Sequence, residues 1–507
     1  MPPAEQNISP KSHFSRDVLT LVTGAGIAQI IPIILSPVIT RLYGPEAYGL
    51  FALFTSITSI MAVIVCLRYE LAIVLPRSDE EAANVFGLCL LILSVISILS
   101  CLVIVFFQQP LETILKSSEI GNYFWLIPPF IFLSGLFLAL NYWNTRTRQF
   151  QRLAKVQVLK ACATSGPQLG FGFAGYATGG ALIGAYLIAQ LVATVALGIQ
   201  VMKEHISFFR YHISRRGIIA VSKRYDNFPK YSIFASFLNT VYSTVPVFVL
   251  TAYFNPTVVG FYSLGLTVTM LPLSNIQNAV TQVFFPKAVE AKHVSLEKLE
   301  EVVTHTIKPL IFIAYIPIIL FILIGPEIFG IIFGVRWEEA GNYVRFLSIW
   351  LGFSFIASPI STLFSIFDKQ YISTIISVLE LIFPLGAIIL GARTGNPLIA
   401  IILFTIFGSI TGLVAYQYLL GLAGISIWVP AKLALNFFII SIPFISCIII
   451  FKYIFSANIL LIVLSSIVVF SLFPLVVLKR DPEMSALFKN ITGSIPVVNK
   501  IIKYLPI

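Results

Sequence analysis

The sequence predicts an all-α integral membrane protein with about fourteen transmembrane helices, in two pseudo-symmetric six-helix lobes plus two C-terminal helices. Three observations predict it. Of the 507 residues, 58% are apolar and 11% charged, and mean hydropathy is +0.93. A soluble domain carries about 45–50% apolar and about 25% charged residues. The apolar residues gather into fourteen stretches, each long enough to cross roughly 30 Å of hydrocarbon. A block near the start returns 211 residues later. This composition excludes a soluble globular enzyme, a disordered chain and a secreted disulfide scaffold. It also excludes a transmembrane barrel, in which every second residue faces a polar lumen.

The stretches run near 18–40, 47–66, 85–107, 122–142, 156–177, 180–202, 231–253, 258–283, 309–333, 344–366, 371–392, 397–420, 432–451 and 457–478. The first is long, contains Pro32 and Pro37, and leads into a second span, so it does not read as a cleavable signal peptide. With the N-terminus in the cytoplasm, 27 of the 33 Lys and Arg fall to the inner side. Only Arg41, Lys116, Arg336, Arg345, Arg393 and Lys452 fall outside. This is the positive-inside bias, and it predicts that both termini are cytoplasmic. The net charge of +11 is thus read as membrane topology and not as a nucleic-acid surface. The outer loops are too short for a catalytic domain. The longest inner segments are 203–230, 284–308 and the tail from Lys479. Segment 203–230 carries seven Lys and Arg and is expected to hold an amphipathic surface helix.

The block Val38–Phe51 lies on Val249–Tyr262 with an offset of 211 residues. Val38/Val249, Thr40/Thr251, Pro45/Pro256 and Gly49/Gly260 are identities. A second echo sets Gly121-Asn-Tyr123 on Gly341-Asn-Tyr343, each just before the fourth span of its half. Each half therefore has six spans and enters the membrane in the same orientation, as in parallel-repeat transporters. The expected domains are an N-terminal lobe (1–202), a basic cytoplasmic linker (203–230), a C-terminal lobe (231–420), and two extra spans with a cytoplasmic tail (421–507). Two such lobes would face one another across a cavity.

Polar groups inside the spans are the candidate functional residues. Glu380 sits midway along span 11, and Ser373, Ser377, Glu380 and Pro384 share one helical face. A carboxyl at a helix centre costs roughly 2.5–3.5 kcal/mol on insertion scales, so it must face protein or water. It is the candidate for ion coupling. Asn239 lies in a polar stripe of span 7, and Asn278 and Gln282 in a dense polar cluster of span 8. All three are candidate cavity-lining groups. Basic residues gather at inner span ends: Arg68 after span 2, Arg146 and Arg148 after span 4, Lys160 about one turn inside span 5. Such a cluster suits a phosphate-bearing ligand, whose oxygens match Arg forks and Lys ammonium groups. Gly166/Gly170 and Gly180/Gly184 have G-x-x-x-G spacing, read as close helix packing.

No catalytic residue, metal site or cofactor is expected. Gly-Lys never occurs, so there is no P-loop, and H-E-x-x-H is absent. The five histidines all lie in inner segments, which excludes an intramembrane histidine relay. Cys66, Cys89, Cys101, Cys162 and Cys447 fall in or beside apolar runs without metal spacing, and are expected to be small buried hydrophobes.

Several motifs resemble those of the O-antigen and polysaccharide (Wzx-type) flippases of the multidrug/oligosaccharidyl-lipid/polysaccharide exporter superfamily. They are Arg41-Leu-Tyr-Gly-Pro-Glu-Ala-Tyr-Gly49, Leu67-Arg-Tyr-Glu-Leu-Ala-Ile-Val-Leu-Pro76 with Ser78-Asp-Glu-Glu-Ala82, Asn227-Phe-Pro-Lys-Tyr231 and Pro256-Thr-Val-Val-Gly-Phe-Tyr262. Pro272, Gln282-Val-Phe-Phe-Pro286 and Phe333-Gly-Val-Arg-Trp337 with Ala340 complete the set. The resemblance covers spans 1–12. It implies fourteen helices in two lobes and transfer of an undecaprenyl-pyrophosphate-linked oligosaccharide across a bacterial inner membrane. The implied partners are that lipid-linked substrate, membrane lipids, and the polysaccharide polymerase and chain-length machinery, with no nucleic acid. It further implies a cationic cavity for the headgroup, although the deep spans of this chain hold few Arg or Lys. Two competing functions are a cation-coupled drug or metabolite exporter of the same fold, and an integral-membrane glycan polymerase or ligase. The two extra spans and the basic linker argue against the first; the short, histidine-free outer loops argue against the second.

Overall fold

The computed structural model describes residues 10–115, 117–454, 458–482 and 485. Among them fourteen helices of at least 20 residues follow in order. They are α1 Pro10–Leu42, α2 Pro45–Ile64, α3 Asp79–Leu115, α4 Ile127–Arg146, α5 Phe150–Phe173, α6 Gly179–His212 and α7 Ile233–Tyr253. Then come α8 Pro256–Val294, α9 Leu296–Phe333, α10 Glu338–Ile360, α11 Gln370–Ala392, α12 Pro397–Leu422, α13 Trp428–Ile454 and α14 Ile459–Arg480. Each expected span lies on one of them, and no strand occurs among the described residues. Among the described residues, eleven segments are long and apolar enough to cross a membrane by length and composition alone. Side chains such as Phe106, Leu99, Leu464 and Val468 stand exposed along these helices, as an apolar solvent requires. Beyond Ser485, the tail expected after Lys479 lies outside the described residues.

Local chemistry sets the helix limits. Pro45 and Pro397 open α2 and α12, where a missing N–H costs nothing. Thr178, Ser295, Asn396 and Asn458 cap α6, α9, α12 and α14 by accepting from backbone N–H groups of the first turn. The 39 residues of α8 rise about 58 Å, well beyond the hydrocarbon. Segment 284–308 is therefore mostly helix, broken at the Ser295 cap, and not an open loop. Non-helical backbone at Phe107 and Ile324 falls just before Pro110 and Pro326, where proline removes a donor and crowds the preceding turn. The expected surface helix is present as Arg215–Arg224, capped by Ser214 and with Val221 buried.

The chain divides into two compact units, residues 1–263 and 264–507. In the first, α1 packs on α5, α5 on α6, α3 on α4, α4 on α6, and α2 on α6 and α7. Phe86, Trp143 and Phe209 stack together at its core. This unit also holds both copies of the 211-residue repeat block, and they touch reciprocally. A Cβ on Gly49 would fall under 3.0 Å from the Pro256 carbonyl oxygen, and one on Gly260 equally close to that of Pro45. The proline and glycine identities are thus one contact made twice about a local twofold.

In the second unit, α9 packs on α10, α11 on α12, and α10 on α12. Helices α13 and α14, outside the repeat, pair with each other and both lie on α9. Ion pairs hold them there at both ends: Lys452 Nζ to Glu327 Oε1 at 2.6 Å, and Lys308 Nζ to Asp481 Oδ2 at 2.9 Å. Between these, the Tyr315 and Ser441 hydroxyls bond at 2.5 Å, and Phe312, Phe437 and Phe473 form an aromatic cluster. The added pair is therefore fastened to α9 along its length.

Two expectations are corrected. A Cβ on Gly166, Gly170 or Gly184 would meet nothing within 4 Å, so their spacing does not mark close packing. The tight glycines are instead Gly172 against Leu42, Gly179 against Leu50 and Gly180 against Tyr123. Cys162 is exposed, whereas Cys66 and Cys89 are buried as expected.

Candidate functional site

In the first unit, the segment joining α2 to α3 collects two of the expected basic residues and gives them different work. Arg146, at the end of α4, donates from Nε and Nη2 to Asp79 Oδ1 at 2.9 and 2.8 Å. Its Nη1 donates to the carbonyls of Ile73 at 3.2 Å and Pro76 at 2.8 Å. The guanidinium thereby clamps this segment, which runs as a tight 3-10 turn over Tyr69–Val74, onto α4. Charge-assisted bonds to backbone carbonyls are the strong kind. Asp79 is largely exposed, so that half of the contact is weak. Arg146→Ala is expected to cost about 2 kcal/mol, read as a lower melting temperature of the detergent-purified protein.

Arg68 opens the same segment. Leu67 and Arg68 are consecutive residues in the left-handed region, with φ of 48° and 64°. Arg68 Nη1 reaches Glu70 Oε1 at 3.4 Å, and the side chains are 28% and 2% exposed. Neither Arg68 Nε nor Glu70 Oε2, both buried, has a hydrogen-bond partner. Burial holds the Glu70 carboxyl above the usual carboxylate range; its own backbone N–H, and after it Arg68, only partly offset this. Arg148 is exposed in the turn after α4, also left-handed at φ 56°. It forms no ion pair among the described residues.

Lys160 stands deeper than expected. It is ten residues into α5, about 15 Å along the axis, and so apart from Arg146 and Arg148. Its Nζ donates to Gln190 Oε1 of α6 at 2.7 Å and lies 5.0 Å from the Phe137 ring centroid of α4. Thr194 Oγ1, one turn from Gln190, donates to the Leu133 carbonyl at 3.0 Å. No carboxylate lies within ion-pair distance of Lys160 among the described residues. An amide oxygen and a ring face orient the ammonium and leave its charge unneutralised.

In the second unit, Glu380 is likewise ten residues into its helix, α11, half-buried and without a hydrogen bond or ion pair among the described residues. The two helices share one frame. Arg148 and Asp368 are both left-handed, as are Gly175 and Gly395 at the far ends. Gln149 N donates to Asn144 O at 2.8 Å, and Lys369 N to Phe364 O at 2.7 Å. All these pairs are 220 residues apart, the offset of the Gly-Asn-Tyr echo. Lys160 and Glu380 are therefore repeat equivalents of opposite charge.

Asn239, Asn278 and Gln282 are exposed and form no side-chain hydrogen bond among the described residues. Gln277, next to Asn278 in α8, donates to Ser354 O at 3.2 Å. Open amides are costly in hydrocarbon, so this face of α8 calls for water. Sequence reading missed Gln190 and Glu70. The Glu70 signal was present, a carboxylate set in the apolar run after Arg68. No group of three metal-ligating side chains occurs among the described residues.

Comparison with known proteins agrees with this architecture. The family described as polysaccharide biosynthesis protein matches residues 38–342. Among solved structures, the chain is similar to the lipid II flippase MurJ in an inward closed conformation, at 14% identity and a TM-score of 0.70. That match covers 91% of this chain and 99% of the other. It is also similar to an inward-facing multidrug resistance MATE family transporter, at 15% identity and a TM-score of 0.58, covering 80% and 94% of the two chains. No curated protein matches in sequence. At these identities the structural likeness establishes the fold.

Proposed function

Because the chain belongs to the polysaccharide biosynthesis protein family, we propose that it is a flippase for an undecaprenyl-pyrophosphate-linked oligosaccharide, an O-antigen or related repeat unit. It moves this substrate from the inner to the outer leaflet of a bacterial inner membrane, with both its termini in the cytoplasm. The observation that carries the reading is Lys160, an ammonium ten residues into α5 that is bonded to one amide oxygen and has no counter-ion among the described residues; α5 is taken to cross the membrane. An intramembrane cation without a partner is costly unless an anion visits it. A pyrophosphate is such an anion, and Lys takes it as a point charge. Arg68 and Arg148 serve as entry cations at the inner ends of their helices. The open amides Asn239, Asn278 and Gln282 receive sugar hydroxyls, while the polyprenyl tail stays in lipid.

Transport proceeds by alternating access and forms no covalent bond, so it needs no catalytic residue or cofactor. Its work is to remove the solvation barrier for the polar head. The substrate is handed on to the polysaccharide polymerase and chain-length machinery. Glu380, uncompensated among the described residues at the position equivalent to Lys160, is the site for a coupling cation. That same carboxyl favours the second reading, a cation-coupled drug or metabolite exporter. Proteoliposomes separate the two. Translocation of a fluorescent undecaprenyl-pyrophosphate-linked oligosaccharide is expected, well above empty vesicles. Cation-driven efflux of organic drugs without any such translocation would establish the exporter instead.

A further inference from the structure

We propose that Arg68 and Glu70 form a binding-linked proton switch: Arg68 grips the pyrophosphate of the substrate, and Glu70, deserted as its counter-ion, takes up a proton. The identity of the anion rests on the function proposed above; the switch rests on the local geometry of residues 67–70.

The backbone here is strained without the fold requiring it. Leu67 and Arg68 are two successive non-glycine residues in the left-handed region, a conformation that L side chains adopt only under strain. Counted on by the repeat offset of 211 to 220, the equivalent of Arg68 falls between Ala279 and Ala288, inside the long α8 either way. The second helix of one half is thus interrupted where its counterpart runs on. What the interruption achieves is to present Arg68, partly open, directly over a sealed carboxylate.

The ion pair it makes is incomplete. One contact at 3.4 Å is all that joins a five-donor guanidinium to a buried carboxylate. The second Glu70 oxygen and the Arg68 Nε are both unpartnered. The other titratable groups facing Glu70 are Cys89 of α3 and Tyr142 of α4, a thiol and a phenol that are neutral near pH 7. Arg146 is occupied by Asp79 and two carbonyls, and Lys230 pairs with Asp226. Among the described residues Arg68 is the one cation acting on Glu70.

Two phosphate oxygens fit a guanidinium fork better than a single carboxylate oxygen at its margin. When Arg68 turns to the anion, Glu70 keeps its burial and loses its only counter-charge. An isolated buried carboxylate neutralises rather than remain charged. A proton from solvent adds to a Glu70 oxygen, and it leaves again when the anion departs and Arg68 returns. Each pyrophosphate bound therefore carries about one proton with it at a pH above the Glu70 pKa of the free protein.

The test is calorimetric titration of the detergent-purified full chain with farnesyl pyrophosphate, at pH 6, 7 and 8, in buffers of different ionisation enthalpy. The ligand's own ionisation is common to all chains, so differences between chains report the protein. Wild type is expected to take up close to one proton more per ligand than Glu70→Gln. Its affinity is expected to fall up to tenfold more per pH unit. Glu70→Asp, which keeps a titratable group, is expected to retain the uptake, and Arg68→Gln to bind at least tenfold more weakly. Melting temperatures establish that each variant is folded. Equal proton uptake by wild type and Glu70→Gln, or undiminished binding by Arg68→Gln, overturns the switch and spares the flippase reading. Absence of binding by every folded chain overturns both.

Discussion

Gly49→Ala is expected to abolish most of the folded protein, at a cost of about 3 kcal/mol or more, and Gly260→Ala to do the same. The added methyl in each case meets a proline carbonyl of the other repeat copy at under 3.0 Å, and backbone cannot rotate away as a side chain would. Overpacking a tight site typically costs about 1–3 kcal/mol, with more where nothing yields. Because both substitutions strike the same close approach of α2 and α8, the double variant is expected to cost less than the sum of the two. The controls lie in the same protein. Gly166→Ala and Gly170→Ala place a methyl where nothing lies within 4 Å. In a helix interior that exchange is expected to be neutral, or to stabilise by up to about 1 kcal/mol. The measurement is the yield of monodisperse protein and its melting temperature. Normal yield and melting temperature for Gly49→Ala would show that the two repeat copies are held apart.

The same glycines show what could be read from the sequence and what could not. Fourteen long helices were legible as apolar stretches, eleven of them long and apolar enough to cross a membrane among the described residues, because hydrocarbon forces every backbone group into a helical bond. The contact between Pro45, Gly49, Pro256 and Gly260 was legible as identities at a constant offset, since a local twofold asks both copies for the same residues. By contrast, the G-x-x-x-G pairs of α5 and α6 misled, because spacing along one helix does not say what lies opposite. Arg146 reads in the sequence like any other inner anchor. Its commitment to the carbonyls of Ile73 and Pro76 depends on how a 3-10 turn folds back, which no periodicity records. The equivalence of Lys160 and Glu380 lay between these cases. The 220-residue echo was visible at Gly121 and Gly341, but its extension through α5 and α11 needed the left-handed residues that bound both helices. The offset grows from 211 to 220 between the second and fourth helices of each half. The interrupted turn at Leu67–Arg68 falls in that interval, against a continuous α8.

Lys160→Met is expected to raise stability and lower translocation together. With α5 crossing the membrane as proposed, a cation without a counter-charge among the described residues costs about 2.5–3.5 kcal/mol on insertion scales, of which the Gln190 oxygen and the Phe137 face return a part. Methionine keeps the length of the stem and removes that cost, so the melting temperature is expected to rise. The Lys–phosphate contact is worth about 1.5–3 kcal/mol, so translocation of the lipid-linked oligosaccharide is expected to fall roughly ten- to a hundredfold. Lys160→Arg keeps the charge but brings a planar fork into a space shaped for a compact ammonium, and is expected to be intermediate. Glu380→Gln provides the contrast. It too removes an uncompensated charge at the equivalent position and is expected to stabilise, but it should abolish dependence on a cation gradient and leave affinity for the pyrophosphate head unchanged. A structural lysine behaves in the opposite way: its loss lowers stability, and transport falls only as far as the folded fraction does. A stable Lys160→Met chain that translocates at the wild-type rate would remove this ammonium from the substrate path.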